Sequence, residues 1–65
     1  MNNTVKKHRL LAEMTQSDLA AAIGVSRQTI HAIETGKYVP STVLALRLAA
    51  HFGVSVEKLF QLDET

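Results

Sequence analysis

The stretch TQSDLAAAIGVSRQTIHAIETGK, residues 15 to 37, decides the fold. Thr15 and Asp18 have the spacing of a variant capping box, in which the threonine side chain accepts from the backbone N–H three residues on. We therefore expect a helix over about residues 16 to 23. Gly24 ends this helix and starts a tight turn, because glycine adopts the left-handed conformation without a steric penalty.

A second helix follows the turn, with Ser26 as its N-cap, over about residues 27 to 35. Ile30 and Ile33 share one face and are predicted to pack, which leaves the polar residues of the first turn pointing away from the core. Two helices joined by a short turn containing glycine form a helix-turn-helix, whose second helix enters the DNA major groove. The spacing alone is equally consistent with a plain helical hairpin.

Three further helices are predicted around this pair, which makes the chain an all-α protein with five helices. They run from about Thr4 to Ala12, from the Ser41 cap to Phe52, and from Val56 to about Phe60. Residues 61 to 65 are a tail that either frays or pairs as a short edge strand with the N-terminus or with another subunit. We expect residues 1 to 65 to form a single domain.

Composition narrows the classes of function. The 65 residues contain no cysteine, which excludes disulfides and thiolate metal sites and suits a reducing cytosol. The three histidines lack metal-ligand spacing, and no set of residues has a plausible catalytic arrangement. No apolar run is long enough to span a membrane, and the N-terminus has no signal-peptide segment. We therefore expect a cytoplasmic binding protein, not an enzyme, without a cofactor, a metal, a membrane partner or an evident small-molecule ligand.

Charge is distributed unevenly along the chain. Residues 1 to 50 hold six Lys or Arg against three acidic residues, whereas residues 51 to 65 hold one against three. A local attraction to nucleic acid is consistent with this asymmetry, but a solvated and mildly polarised surface is equally common.

The identities of the residues add to the spacing. The residues that resemble a known family are Arg9, Glu13-Met14-Thr15-Gln16, Leu19-Ala20, Ile23 to Ile30, Ile33-Glu34 and Gly36-Lys37. Together they resemble the phage-repressor and Cro-like (XRE-type) helix-turn-helix family over about residues 5 to 60, and its small stand-alone members most closely. The resemblance implies a compact lambda-repressor-like domain. It also implies a transcriptional regulator, a repressor, that binds double-stranded DNA as a homodimer on a palindromic operator.

The resemblance also assigns roles to individual residues of the two helices and of the segment that follows them. Arg27 and Gln28 are expected to read base edges, and their donors suit guanine and adenine respectively. The alternative is that Arg27 contacts only phosphate and Gln28 only solvent. Ala32 either meets a thymine methyl group or makes no contact. Phosphate contacts are expected from Gln16, Thr29, Thr35, Lys37 and Tyr38, with a solvated surface glutamine as the alternative at Gln16.

Two positions on the first helix bear on stability. Arg9 and Glu34 match a pair that meets across the first and third helices in similar proteins, and inward charges are usually retained only when paired. We therefore predict a structural ion pair. Glu13 departs from the family pattern, because relatives often have a helix-ending glycine there. His8 departs as well, since leucine is usual there, and we expect a half-buried ring with one nitrogen bonded.

A symmetric contact between two copies is expected at Val56, Phe60 and Leu62, which offer more apolar surface than one small core absorbs. The alternative function is a helical protein-interaction module, such as an antitoxin or adaptor, for which DNA binding is secondary. The two functions predict opposite responses to mutation. An adaptor depends on its apolar surface, whereas a DNA reader depends on Arg27 and Gln28.

Overall fold

The computed structural model of the chain describes residues 1–63, so the last two residues of the predicted tail lie outside the described part. The elements, in chain order, are β1 (Asn2–Asn3), α1 (Val5–Leu11), α2 (Gln16–Ile23), α3 (Arg27–Glu34), α4 (Thr42–Phe52), α5 (Val56–Leu59) and β2 (Phe60–Gln61). The prediction of five helices is confirmed, and two short strands join them.

Local capping interactions set the ends of α2 and α3. The Thr15 side chain accepts from the Asp18 N–H at 3.0 Å, and Asp18 Oδ2 accepts from the Thr15 N–H at 2.9 Å. These hydrogen bonds also hold the pKa of Asp18 below its ordinary value. Gly24 ends α2 at a φ of 85°, and the Ser26 side chain begins α3 by accepting from the Thr29 N–H at 3.1 Å. The turn between the helices therefore has three residues, 24 to 26.

One apolar core lies between the helices and draws on every one of them. Ile30 and Ile33 of α3 are fully buried, and they fix the side of α3 that faces inward. The other buried apolar side chains are Val5, Leu19, Ala20, Ile23, Leu48, Ala49, Leu59 and Phe60. None of the helices within residues 1–63 combines the length and the apolar character that crossing a membrane requires.

The two ends of the domain are tied together. The strand β1 pairs with β2 in antiparallel fashion, with Asn2 opposite Gln61 and Asn3 opposite Phe60. The next residue, Thr4, continues this connection by donating its N–H to the Leu59 carbonyl at 2.8 Å. Pairing with the N-terminus, one of the three alternatives for the tail, is therefore adopted at Gln61, and the pairing begins one residue before the predicted tail.

The prediction that the fifth helix reaches Phe60 is wrong by one residue, and the difference changes the role of that side chain. Phe60 has an extended backbone and belongs to β2, where its ring is only 9% exposed and packs into the core. The expectation that Phe60 offers free apolar surface is therefore wrong, because the strand pairing turns it inward. Val56 is half-buried, and Leu62 is 85% exposed.

The helix α1 begins at Val5 and ends at Leu11, one residue inside each predicted end. As expected, His8 is half-buried with one nitrogen bonded: Nδ1 donates to the Thr4 carbonyl at 2.9 Å, and the ring packs against Phe52. Glu13 has a φ of 56°, in the left-handed region that favours glycine. The departure from the family pattern at Glu13 therefore falls at a position where the backbone does call for glycine.

Candidate nucleic-acid interface

The helix α3 has an apolar side that is buried in the core and a polar side that faces outward. Ile30 and Ile33 point into the core without exposure, so the other side of the helix faces solvent. Arg27, Gln28 and His31 are all exposed on that side. The helix thus presents two side chains with strong donors and one imidazole on a surface that nothing else in residues 1–63 covers.

Two shallow hollows lie side by side on this surface. The first is lined by Arg27, Gln28 and His31. The second is lined by Gln28, Thr29, Ala32 and Tyr38. The three predicted base-reading residues, Arg27, Gln28 and Ala32, are therefore brought onto one face, with the half-buried Ala32 methyl group on the wall of the second hollow.

The segment after α3 is folded back so that it borders the same face. The N–H groups of Lys37 and Tyr38 both donate to the Ala32 carbonyl, at 2.9 and 3.2 Å. Gly36 makes this reversal with a φ of 78°. Both side chains are exposed next to the hollows, which places two of the predicted phosphate contacts at the edge of the face.

The two threonine hydroxyl groups predicted to contact phosphate are engaged at the ends of α3. Thr35 Oγ1 donates to the His31 carbonyl at 2.9 Å, where it supports the end of the helix. Thr29 Oγ1 lies 2.9 Å from Ser26 Oγ, which caps the start of the helix. A phosphate oxygen needs a donated proton, so Thr35 has to give up an existing hydrogen bond before it makes this contact.

The predicted ion pair is present and lies under the face. Arg9 Nε donates to Glu34 Oε2 at 2.7 Å, and Arg9 Nη2 donates to Glu34 Oε1 at 3.2 Å. The two side chains are 9% and 3% exposed. Burial opposes ionisation of Glu34, but hydrogen bonds from Arg9 and Gln16 outweigh it and hold the Glu34 pKa below its ordinary value. The hydrogen bond to Glu34 raises the pKa of Arg9, so both partners stay charged.

Gln16, predicted to contact phosphate, is instead turned towards this pair. Its amide Nε2 lies 3.1 Å from Glu34 Oε1 and 3.3 Å from His31 Nδ1. Sequence reasoning missed this arrangement, because Gln16 and Glu34 are 18 residues apart and nothing in the spacing relates them. His31 is thus a direct neighbour of this predicted phosphate contact.

A different kind of surface lies away from α3. A shallow apolar groove of about 400 Å³ is lined by residues of the N-terminus, of the segment between α3 and α4, and of α4, α5 and β2, namely Met1, Val39, Pro40, Thr42, Ala45, Leu46, Val56, Glu57 and Phe60. Val39 and Leu46 are 61% and 55% exposed. Within residues 1–63 no three metal-ligating side chains come together.

Comparison with known proteins gives a consistent result. The sequence model of a family described as helix-turn-helix matches residues 5–59. An uncharacterized helix-turn-helix-type transcriptional regulator of Methanocaldococcus jannaschii is 55% identical over 64 residues, which cover 98% of this chain and 97% of that protein. A protein of the same description from Bacillus subtilis is 44% identical, with 98% and 97% covered. Another, from Methanothermobacter thermautotrophicus, is 45% identical, with 98% and 94% covered.

Proposed function

The chain belongs to the helix-turn-helix family of DNA-binding transcriptional regulators, and from this premise we propose that it is a repressor that binds a palindromic operator as a homodimer. The helix α3 enters the major groove and reads base edges there. Occupation of the operator then blocks transcription by excluding other proteins from the same DNA. The family is not enzymatic, which agrees with a surface made for binding. The proposal includes a cytoplasmic location, since the protein has to reach the DNA it regulates.

The observation that carries the proposal is the exposed polar side of α3. Arg27 and Gln28 stand together in its first turn, where a recognition helix approaches base edges most closely. The guanidinium group suits the two acceptors of guanine, and the amide suits the donor and acceptor of adenine. Ala32 and Tyr38 share the second hollow with Gln28, so a thymine methyl group fits the apolar wall next to an adenine contact.

Backbone contacts are proposed on both sides of these base readers. Lys37 and Tyr38 border the face on one side, and the first turn of α2 borders it on the other. The N–H groups in the first turn of a helix have no intrahelical partners and favour an anion. Each phosphate that a cation neutralises adds about 0.9 to the slope of log affinity against log salt concentration. A titration with salt therefore counts these contacts.

Selection of binding sites from random double-stranded DNA tests the proposal. We expect an enriched palindrome whose half-sites lie about 34 Å apart, one turn of DNA, because a two-fold dimer repeats its recognition helix at that spacing. Enrichment of no sequence at all would contradict sequence-specific binding. Enrichment of a single, non-repeated half-site would contradict the homodimer and leave the reading role of α3 in place.

The apolar groove supports the homodimer and also a second candidate function. Val56 and Phe60 line the groove, and Leu62 follows β2 with most of its side chain in solvent. We propose that a second copy of the chain covers Val56 and Leu62 together with Leu46. In the second candidate, an antitoxin or adaptor, another protein covers this groove and DNA binding is secondary. An adaptor retains its protein partner in Arg27→Ala, whereas a DNA reader loses recognition of its duplex in that variant. Leu46→Ser removes a protein contact in both candidates, so Arg27→Ala is the variant that separates them.

A further inference from the structure

The side-chain amide of Gln16 contacts both Glu34 and His31, and the protons it donates determine what it can bind. A carboxylate oxygen only accepts hydrogen bonds, and Glu34 stays ionised next to Arg9. The Gln16 atom that lies 3.1 Å from Glu34 Oε1 is therefore the NH2 group and not the carbonyl oxygen. The carboxylate of Glu34 thus determines the orientation of the Gln16 amide.

The same NH2 group determines the state of His31. Nε2 of Gln16 lies 3.3 Å from His31 Nδ1, and it approaches as a donor. A donor requires an acceptor, so His31 is neutral in this arrangement, with its proton on Nε2 and a free lone pair on Nδ1. One proton of the amide is directed to Glu34 and the other to His31.

This arrangement leaves Gln16 without a proton to offer. A DNA phosphate accepts hydrogen bonds and donates none, and the part of the Gln16 amide that remains is its carbonyl oxygen. The side chain can therefore bind phosphate only if it gives up the bond to Glu34 or the bond to His31. The bond to His31 is the weaker of the two, because it is longer and its acceptor is uncharged.

We propose that His31 sets the affinity of the protein for DNA by holding the Gln16 amide when neutral and releasing it when protonated. Protonation places a proton on Nδ1, which abolishes the hydrogen bond from Gln16. The released N–H and the imidazolium both then suit the same phosphate group. This inference rests on the proposed function, because it requires α3 to lie against DNA.

The charges around His31 favour this sequence of events. On its own helix, Arg27 lies one turn earlier and opposes a second positive charge, and Glu34 lies one turn later. Glu34 is already neutralised by Arg9 of α1 and is also near Lys6 of that helix, so it offers His31 little attraction. From α2 the neighbour is the neutral Gln16. A phosphate is therefore the anion that stabilises the protonated ring, and DNA binding takes up a proton.

The test measures affinity for the duplex selected from random DNA at about pH 5.5 and pH 8, a range in which histidine changes charge. We expect the unmodified protein to bind about threefold to tenfold more tightly at the lower pH, since an exposed ion pair is gained in each half-site. His31→Ala should bind equally at both values. At pH 8 it should bind at least as tightly as the unmodified protein, because its Gln16 amide is free. His51→Ala, which removes an exposed histidine of α4, should keep the full pH dependence.

Nuclear magnetic resonance of the imidazole nitrogens adds a measurement without DNA. At about pH 8 we expect His31 of the free protein to carry its proton on Nε2. A proton on Nδ1 would overturn the inference, as would equal affinity at both pH values or a pH dependence that His31→Ala retains. Absence of sequence-selective binding at every pH would instead contradict the proposed function, so the two failures are distinct.

Discussion

Arg27 offers the most direct test of base reading at the level of a single residue. Arg27→Ala should weaken binding to the selected duplex by about 1 to 3 kcal/mol and relax the preference at one base pair, because a bidentate contact to guanine is lost. Binding-site selection with the variant measures both effects. Lys37→Ala is the matched control, since loss of a phosphate contact weakens all sequences alike and lowers the salt slope by about 0.9 for each half-site. An unchanged preferred sequence in Arg27→Ala would show that Arg27 touches only the backbone.

Glu13 has a strained backbone conformation, because its φ of 56° lies in the left-handed region. A side chain in the left-handed region costs about 1 kcal/mol, so Glu13→Gly should raise the free energy of unfolding by roughly that amount. Gly24→Ala makes the opposite change, because it places a side chain on a glycine in the left-handed region. A Cβ atom at Gly24 meets nothing within 4 Å, so its effect is conformational only, and a loss of about 1 kcal/mol is expected. Urea unfolding measures both, and stabilities that move in the same direction would contradict this reading.

At the level of the elements, Arg9 and Glu34 join α1 to α3 beneath the exposed polar side of α3. Glu34→Ala leaves a buried guanidinium without its partner, at a cost of about 3 kcal/mol. A domain of this size has a total stability of about 3 to 10 kcal/mol, so the variant should lose between about a third of that stability and all of it. Circular dichroism during urea titration measures the loss. Full stability would show that the pair is dispensable.

The same ion pair should make the folded protein less stable at acidic pH. The pKa of Glu34 is lowered in the folded protein, so its contribution to stability is complete above the ordinary carboxyl pKa of about 4.3 and is lost as pH falls through the lower, folded value. The urea concentration at the midpoint of unfolding should therefore decrease as the pH drops below about 4. The decrease should be less steep in Glu34→Gln than in the unmodified protein. Glu57→Gln, at an exposed position of α5, is the control. An equal acid response in all three proteins would exclude Glu34 as its source.

The elements also show how far the sequence predicts the fold. The bounds of α2 follow from Thr15, Asp18 and Gly24, because caps and left-handed glycines are local signals. The burial of Phe60 does not follow from local signals, since it depends on strand pairing with residues almost sixty positions earlier. The candidate site divides in the same way. The exposure of Arg27 and Gln28 follows from the spacing of Ile30 and Ile33, whereas the engagement of Gln16 depends on the packing of α2 against α3.

At the level of the whole molecule, the apolar groove should control the oligomeric state. The monomer has a mass of 7.1 kDa, and light scattering over a range of concentrations should show a species of twice that mass. Leu46→Ser and Leu62→Ser remove exposed apolar contact and should shift the equilibrium towards monomer. Leu11→Ser is the control, because Leu11 is 73% exposed on α1 and is not part of the groove. A larger effect from Leu11→Ser would move the contact to α1.

The joined ends of the domain have a consequence for its synthesis. Residues 2 to 4 find their partners at residues 58 to 61, so during synthesis they wait for residues that are added almost sixty positions later. Chains grow at about 5 to 20 residues per second, and the sheet and the start of α1 stay incomplete throughout that time. A nascent chain therefore cannot close its core by folding in steps from the N-terminus. Chains that stall before residues 58 to 61 are made should accordingly lack DNA-binding activity.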